Sequence, residues 1–407
     1  MDAPVIGAAT AGRRALLLAG IVLVALNLRA GLAGVGPLVG DIRDATGLSN
    51  TALGFLTTLP LIAFGVVSAF TPVVSRRLGV DRSLALALAL IGAGALTRSA
   101  APVVLLFGGT LALGTGIALG NVLLPVLVKR DFPGRASSMT SLYSSAMGVG
   151  AMLAAGLSVP VARSIGWRGS LAIWGVPAVI ALFVWLLHAS RRGRTRDEWG
   201  SGARTPRPLG RSLLAWQVAA YMGIQSFTFY VVLAWLPELL QSRGMGAAAA
   251  GWMLALSQAT GIAGSAIVPL VAGRFHDHRR IVWGLGLLEA IALVGLGVAR
   301  LAALDILWVS LLGFVLGGTF ALSLLFLVVR AADAEASAEL SGMAQSVGYL
   351  IAAMGPATFG LLIDVTGGWT LPVALLVIAL LTKMTVGLRA ARPGQVQLAG
   401  ARVTDSG

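Results

Sequence analysis

The chain has 407 residues, 57% of them hydrophobic and only 11% charged, with a mean hydropathy of +0.88. Soluble globular proteins carry about 25% charged residues, so composition places this chain in a membrane. A formal charge of +14 could suit a nucleic-acid partner, but the basic residues lie between apolar runs instead of in one patch. The absence of cysteine excludes disulfides, thiolate metal sites and a cysteine nucleophile.

A helix needs about 20 apolar residues to cross the hydrocarbon core. Such runs lie at 15–38, 51–75, 83–99, 103–128, 136–163 and 169–189, and again at 212–240, 247–272, 281–300, 305–330, 339–364 and 370–390. The expected fold is therefore an all-α membrane protein with twelve transmembrane helices. Arg13-Arg14 followed by "ALLLAGIVLVAL" mimics a signal peptide, yet the apolar run continues through Gly36, so it reads as a retained first span.

That first span contains Asn27 and Arg29, although a guanidinium at the bilayer centre costs at least about 2.5–3.5 kcal/mol on insertion scales. At the helical period, Asn27, Ala30, Gly31, Gly34 and Leu38 share a stripe of mostly small residues suited to packing on another helix. Arg29 points the other way with Val22, Ala25, Ala33 and Gly36. It either faces a wet cavity, where its planar fork would grip an anion, or is held by carbonyls of a neighbouring helix. No acidic residue lies inside spans one to six away from their ends, which leaves a substrate anion as a candidate partner. Asn27 reads as a helix-contact residue, with a gating or solute role as the alternative.

The polar segment "SRRGRTRDEWGSGARTPRPLGR", 190–211, is a linker and topology anchor that divides a six-helix bundle at 15–189 from another at 212–390. With both termini, 1–14 and 391–407, placed in the cytoplasm, 22 of the 30 Lys and Arg fall on the cytoplasmic side and 6 on the other. That asymmetry orients the chain in a cytoplasmic (inner) membrane as a multi-pass protein.

The two halves repeat. At an offset of 197, Ser68, Ala69, Pro72, Arg77 and Arg82 fall on Ser265, Ala266, Pro269, Arg274 and Arg279. At 201 Gly116 meets Gly317, and at 202 Ala136, Ser144 and Met152 meet Ala338, Ser346 and Met354. Offsets that rise in chain order indicate a duplication. Two parallel six-helix repeats are the layout of major facilitator transporters, whose substrate site lies at mid-membrane between the halves.

Several stretches sharpen that reading: "NLRAGLAGVGPL", "GFLTTLPLIAFG", "GIALGNVLLPVLVKRDFPGR", "SLYSSAMGVGAMLAAGLSVPVA" and "AWQVAAYMGIQSFTFYVVLAWLPELLQ". Over nearly its whole length the chain resembles the cyanate/2-nitroimidazole transporter family of the major facilitator superfamily. The resemblance implies a secondary active or facilitative transporter of a small anionic or polar nitrogen-containing solute, working by alternating access. A drug or metabolite exporter of broader specificity, or a non-transporting membrane receptor on the same fold, are the alternatives.

Two departures from the family pattern stand out. Ala30 follows Arg29 where the family has proline, which removes a kink. The superfamily's loop between spans two and three survives only as "SRRLGVDRS", leaving Asp81 and Arg82 as a loose gating match. The fold further implies that Asn121 in span four borders the cavity. It also implies that spans nine and twelve are neighbours, so that Glu289 and Lys383 form a structural ion pair, with a proton-carrying Glu289 as the alternative. Gln225 and Phe229 share a face of span seven, while Tyr143, Gln258, Gln345 and Tyr349 could supply hydrogen bonds to a planar solute. Each could instead be ordinary helix contact.

Trp235 reads as an interface tryptophan with Trp216 as its inner counterpart, Pro125 as a kink, and Asp364 as a solvated group at a span end. His276-Asp277-His278 lacks a third metal ligand in view, and no Walker loop or catalytic constellation is present. The expectation is thus a non-enzymatic protein without cofactor or metal, acting as a monomer on a small-molecule solute, with membrane lipid and no nucleic acid as its other partners.

Overall fold

The computed structural model describes residues 5–132, 136–190, 212–298, 302–331 and 334–396. The central segment 191–211, the first four residues and the tail beyond Val396 lie outside the described residues. The fold is nearly all helical. Among the described residues, eleven helical stretches are long and apolar enough to cross a membrane, and one of these, Ser138–Ser190, has 53 residues. At 1.5 Å per residue that would be about 80 Å, far more than a bilayer, so it holds two spans. Its break is at Gly166, whose φ of 74° turns the chain inside α6 (Ala136–Ile173) ahead of α7 (Gly175–Ser190).

Earlier in the chain, α1 (Val5–Ala33) runs unbroken through Ala30. Its helix ends only where Pro37 removes a donor, after which a single 3-10 turn at Gly36–Leu38 leads to α2 (Val39–Thr46). Helical structure thus continues past 38, as far as Thr46. α3 (Asn50–Leu78), α4 (Val80–Thr97) and α5 (Val103–Asp131) follow, and α5 stays helical through Pro125. The later helices are α8 (Leu213–Gln241), α9 (Ala247–Ala272), α10 (Arg279–Val298), α11 (Ala302–Val329), α12 (Ala334–Thr366) and α13 (Thr370–Ala390).

The described chain forms two compact units. One contains residues 1–48, 55–199 and 236–255; the other contains 49–54, 200–235 and 256–407. Three helices therefore change unit along their length: α3 after Gly54, α8 at Leu236 and α9 after Ala255.

In the first unit α1 packs on α5, α6 and α7, and α4 packs on α5 and α7. In the second, α10 packs on α11 and α13, and α12 on α13. Lipid tails are as apolar as leucine, so the closeness of these crossings comes from small residues and not from hydrophobic sorting. A Cβ on Gly150 would sit 2.3 Å from the Leu26 carbonyl, one on Gly116 2.5 Å from the Ala87 carbonyl, and one on Gly114 2.6 Å from Pro60 Cα. In the second unit a Cβ on Gly317 would lie 1.9 Å from the Gly261 carbonyl. Tyr221, Val268, Val315, Phe326 and Leu340 sit in the core of this unit. Outward-facing Val104, Phe183, Leu270 and Val328 remain exposed, as lipid-facing side chains do.

The duplication is visible in the turns. Gly47 and Gly244 both take a left-handed conformation, with φ of 68° and 89°, and are 197 residues apart. Gly166 and Gly367, φ 74° and 64°, are 201 apart. The first separation equals the offset of that part of the sequence, and the second is one residue short of the 202 found for spans five and eleven.

Candidate functional site

Arg29 is half-buried on a helix that is otherwise largely covered. Ile21, Val24, Ala25 and Leu28 of α1 are at most 1% exposed. The partly exposed positions are Val22, Leu23, Leu26, Arg29 and Leu32, which follow helical spacing along one side. The covered sides are closed by α5 and α6, which reach α1 through Gly120, packed on Leu28, and Gly150, packed on Leu26. Arg29 thus occupies the accessible side of α1, within its membrane-spanning stretch.

Asn27 is 1% exposed, and its Nδ2 donates to the Leu23 carbonyl of its own helix at 2.7 Å. It does not bridge to a neighbour, and its buried Oδ1 has no partner.

Four residues beyond Arg29 the helix ends, and the polar groups released there are met by buried side chains. The Gly31 carbonyl accepts from Arg98 Nη1 at 2.7 Å, and Nη2 of the same guanidinium makes a longer contact, 3.5 Å, to the Leu171 carbonyl. Arg98 is 1% exposed. Ser170 Oγ donates to the Ser158 carbonyl at 2.7 Å, and Ser158 lies against Gly34. Arg98, at the end of an apolar run, is one of the six basic residues that the charge count places on the outer side. The structure instead folds it back onto α1.

Of the remaining expected solute contacts in the first unit, Asn121 on α5 and Tyr143 on α6 are half-buried. In the second unit Phe229, Gln258 and Tyr349 are half-buried and Gln345 is exposed. Phe229 packs edge-on against Tyr230, with centroids 5.1 Å apart, and Gln258 Nε2 donates to Ser257 Oγ at 3.3 Å.

Gln225 is more enclosed than these. It is 1% exposed; its Nε2 donates to the Leu316 carbonyl of α11 at 3.0 Å and its Oε1 accepts from Ser226 Oγ at 3.2 Å. Both ends of the amide are used within the unit, so Gln225 binds α8 to α11.

Asp81 pairs with Arg130 of α5 at 3.0 Å, and its backbone carbonyl accepts from Trp185 Nε1 at 2.9 Å. Arg130 also meets Asp131 at 3.1 Å. Burial works against the Arg130 charge, but the hydrogen bonds to Asp131 and Asp81 outweigh it and hold its pKa above the ordinary value. These bonds lie inside the first unit; Arg82 is exposed. In the second unit Glu289, 0% exposed, is paired with Lys383, 2% exposed. The remaining Glu289 oxygen, Oε1, is buried without a partner, as is the Tyr221 hydroxyl.

Several other residues occupy places the sequence did not indicate. Trp235 is 2% exposed and donates to the Pro356 carbonyl at 3.0 Å, so it is a packing residue and not an interface one; Trp216 is exposed. Asp364 accepts from the backbone N–H groups of Asn50 and Thr51 at 3.0 and 2.7 Å and from their side chains at 2.8 and 2.6 Å. It caps the N-terminus of α3. Arg330 hydrogen-bonds the carbonyls of Ala390 and Ala391 at 3.0 and 2.8 Å, ending α13, and contacts His278 Nδ1 at 2.9 Å. No cluster of three metal-ligating side chains occurs among the described residues.

Comparison with known proteins gives a consistent result. Residues 17–356 match the profile of the Major Facilitator Superfamily. The chain is 41% identical to the 2-nitroimidazole transporter of Escherichia coli (strain K12), covering 94% of this chain and 97% of that protein. It is 30% identical to the cyanate transport protein CynX of the same organism, covering 91% and 95%. It is also 39% identical to the uncharacterized transporter YycB of Bacillus subtilis (strain 168), covering 92% and 93%. Among solved structures, the nucleoside transporter NupG superposes with a TM-score of 0.76 at 11% identity, covering 91% of this chain and 99% of that one. The inward-open xylose transporter XylE from E. coli gives 0.73 at 16%, covering 91% and 95%.

Proposed function

Because the chain belongs to the Major Facilitator Superfamily and is a membrane transporter of that type, we propose that it moves a small anionic or polar nitrogen-containing solute, cyanate-like or nitroimidazole-like, by alternating access. The observation that carries this reading is Arg29: a permanent positive charge kept within a spanning helix, on the one side of α1 that is accessible. An intramembrane charge is expensive and is kept where it faces polar surroundings, so a solute anion is a natural partner for its planar fork. Asn121, Tyr143, Gln225, Phe229, Gln258, Gln345 and Tyr349 are the further side chains proposed to contact the solute. The inward-open state of XylE, on the same fold, supports alternating access as the mode of transport.

The Lys and Arg asymmetry supports both termini on the cytoplasmic side of an inner membrane, and the matched turn glycines support six-helix repeats at 15–189 and 212–390. Counterflow in proteoliposomes against cyanate, nitrate, bicarbonate, small carboxylates and 2-nitroimidazole tests the proposal. Saturable flux of one of these, lost in a folded Arg29→Lys variant that keeps charge but not the fork, is the expected result. Equal flux in both proteins would make Arg29 structural and favour the broader exporter.

A further inference from the structure

The end of α1 raises an electrostatic problem for the site just proposed, and this inference rests on that reading. A helix C-terminus carries roughly half a negative charge on its last carbonyls. α1 ends at Ala33, four residues past Arg29, so its negative pole lies beside the place where an anion would sit. The Gly34 N–H takes the Ala30 carbonyl and the Val35 N–H takes that of Leu32, which leaves the Gly31 carbonyl to a side chain. That side chain is Arg98.

Arg98 is an unusual residue to find there. It is 1% exposed; among the described residues its polar contacts are the two backbone carbonyls of Gly31 and Leu171, and its buried Nε has no partner. A guanidinium stays charged at any physiological pH. Burial in protein is costly unless an opposite charge compensates, yet the partners here supply only dipoles. A neutral donor could cap one carbonyl at far lower cost, so capping alone does not account for the choice of residue.

Geometry gives the charge a second use. Gly31 lies two residues, about 3 Å along the axis, beyond Arg29 and on the covered face of α1, packed on Leu113 of α5, so Arg98 reaches the end of α1 from its covered face while Arg29 stands on the accessible one. The distance from its guanidinium to an anion beside Arg29 is then about one helix diameter, 10–12 Å. We propose that Arg98 is a positioning residue for anion selectivity: it cancels the negative pole of α1 and adds a buried positive field behind the Arg29 site. Across that distance, at an effective dielectric constant of about 20, a unit charge changes anion affinity about tenfold. Bulk salt screens buried charges weakly, so the effect persists at high ionic strength.

The test compares wild type, Arg98→Lys, Arg98→Gln and Arg98→Met in proteoliposomes, using the best-transported anion of the panel above. Glutamine keeps a donor for the Gly31 carbonyl and removes the charge; lysine keeps the charge. The expected result is a KM raised about tenfold in the glutamine and methionine variants at near wild-type maximal rate, with the lysine variant close to wild type. An unchanged KM in a folded neutral variant would overturn the proposal. So would a reduced maximal rate at unchanged KM, including in the lysine variant, because that pattern belongs to a structural cap. Failure of both neutral variants to fold beside an active lysine variant would likewise make the charge structural and overturn it. Wild-type protein that carries none of the anions overturns the parent reading and this one together. Anion transport that resists Arg29→Lys overturns the Arg29 site and with it this proposal, whatever the Arg98 variants do.

Discussion

Replacing Lys383 by methionine should destabilise the second unit far more than replacing both members of its ion pair. Lys383 and Glu289 are 2% and 0% exposed, so the methionine leaves a carboxylate with no counter-ion in an apolar interior. The uncompensated charge matters more than the lost contact, because Glu289 Oε1 already lacks a partner and cannot be compensated from its other side. Breaking a buried pair by removing one partner costs about 3–5 kcal/mol, whereas replacing both members by apolar residues of similar volume is often neutral. Lys383→Met and Glu289→Leu should therefore each cost about 3–5 kcal/mol, and the double variant less than about 1 kcal/mol, a strong positive coupling. SDS-induced unfolding in mixed micelles, followed by the fluorescence of the tryptophans, would measure the cycle. A lysine variant within about 1 kcal/mol of wild type, or a double variant as damaged as the sum of the singles, would refute a desolvated ion pair.

A Cβ on Gly317 meets the Gly261 carbonyl, so Gly317→Ala should lower thermal stability in detergent, while Gly284→Ala, with open space around it, should not. Asp364→Ala removes four hydrogen bonds from the start of α3, so hydrogen exchange at the amides of Asn50 and Thr51 should accelerate by at least about tenfold, as a charge-assisted bond of about 1.5–3 kcal/mol implies. Burial, then the neighbouring Arg330 charge, lowers the His278 pKa, with Asp277 and His276 also close to it. The neutral ring that accepts from Arg330 is therefore favoured above about pH 6.5 and its contribution is lost as pH falls below that value. Amide protection at His278 and Val396, corrected for intrinsic rates, should fall between pH 7.5 and 5.5 in wild type and stay level in His278→Gln.

Most of the architecture is legible in the sequence because lipid imposes one local rule, a long apolar run per helix, and because the duplicated halves repeat at consistent offsets. The site is less legible. Arg29 can be found because a charge inside a span is costly wherever its partner lies. Arg98 stands at the end of an apolar run, where an arginine ordinarily marks the interface, and only its contact with Gly31, 67 residues earlier, shows it to be buried. Gln225 illustrates the same limit: its bond to the Leu316 carbonyl, 91 residues later, cannot be read from an amide inside a span. Asp364 reads as solvated for the same reason, since its partners lie 313 and 314 residues away.

The turns at Gly47 and Gly244, and at Gly166 and Gly367, have a consequence for how such a chain diverges after copying. Left-handed backbone admits few replacements, so these corners act as fixed points in both copies, although 119 residues separate them in the first and 123 in the second. Side chains along the spans carry no such restriction. Glu289 falls, across offsets 197 to 201, on the uncharged stretch 88–92 of the first copy, and Lys383 falls on Ala181 at offset 202. The inherited corners thus allow one copy to acquire a buried ion pair and the other an intramembrane arginine without altering the frame. Recombining this chain with a relative should therefore succeed best when the joints are placed at those corners, because a whole helix then moves with its own charges.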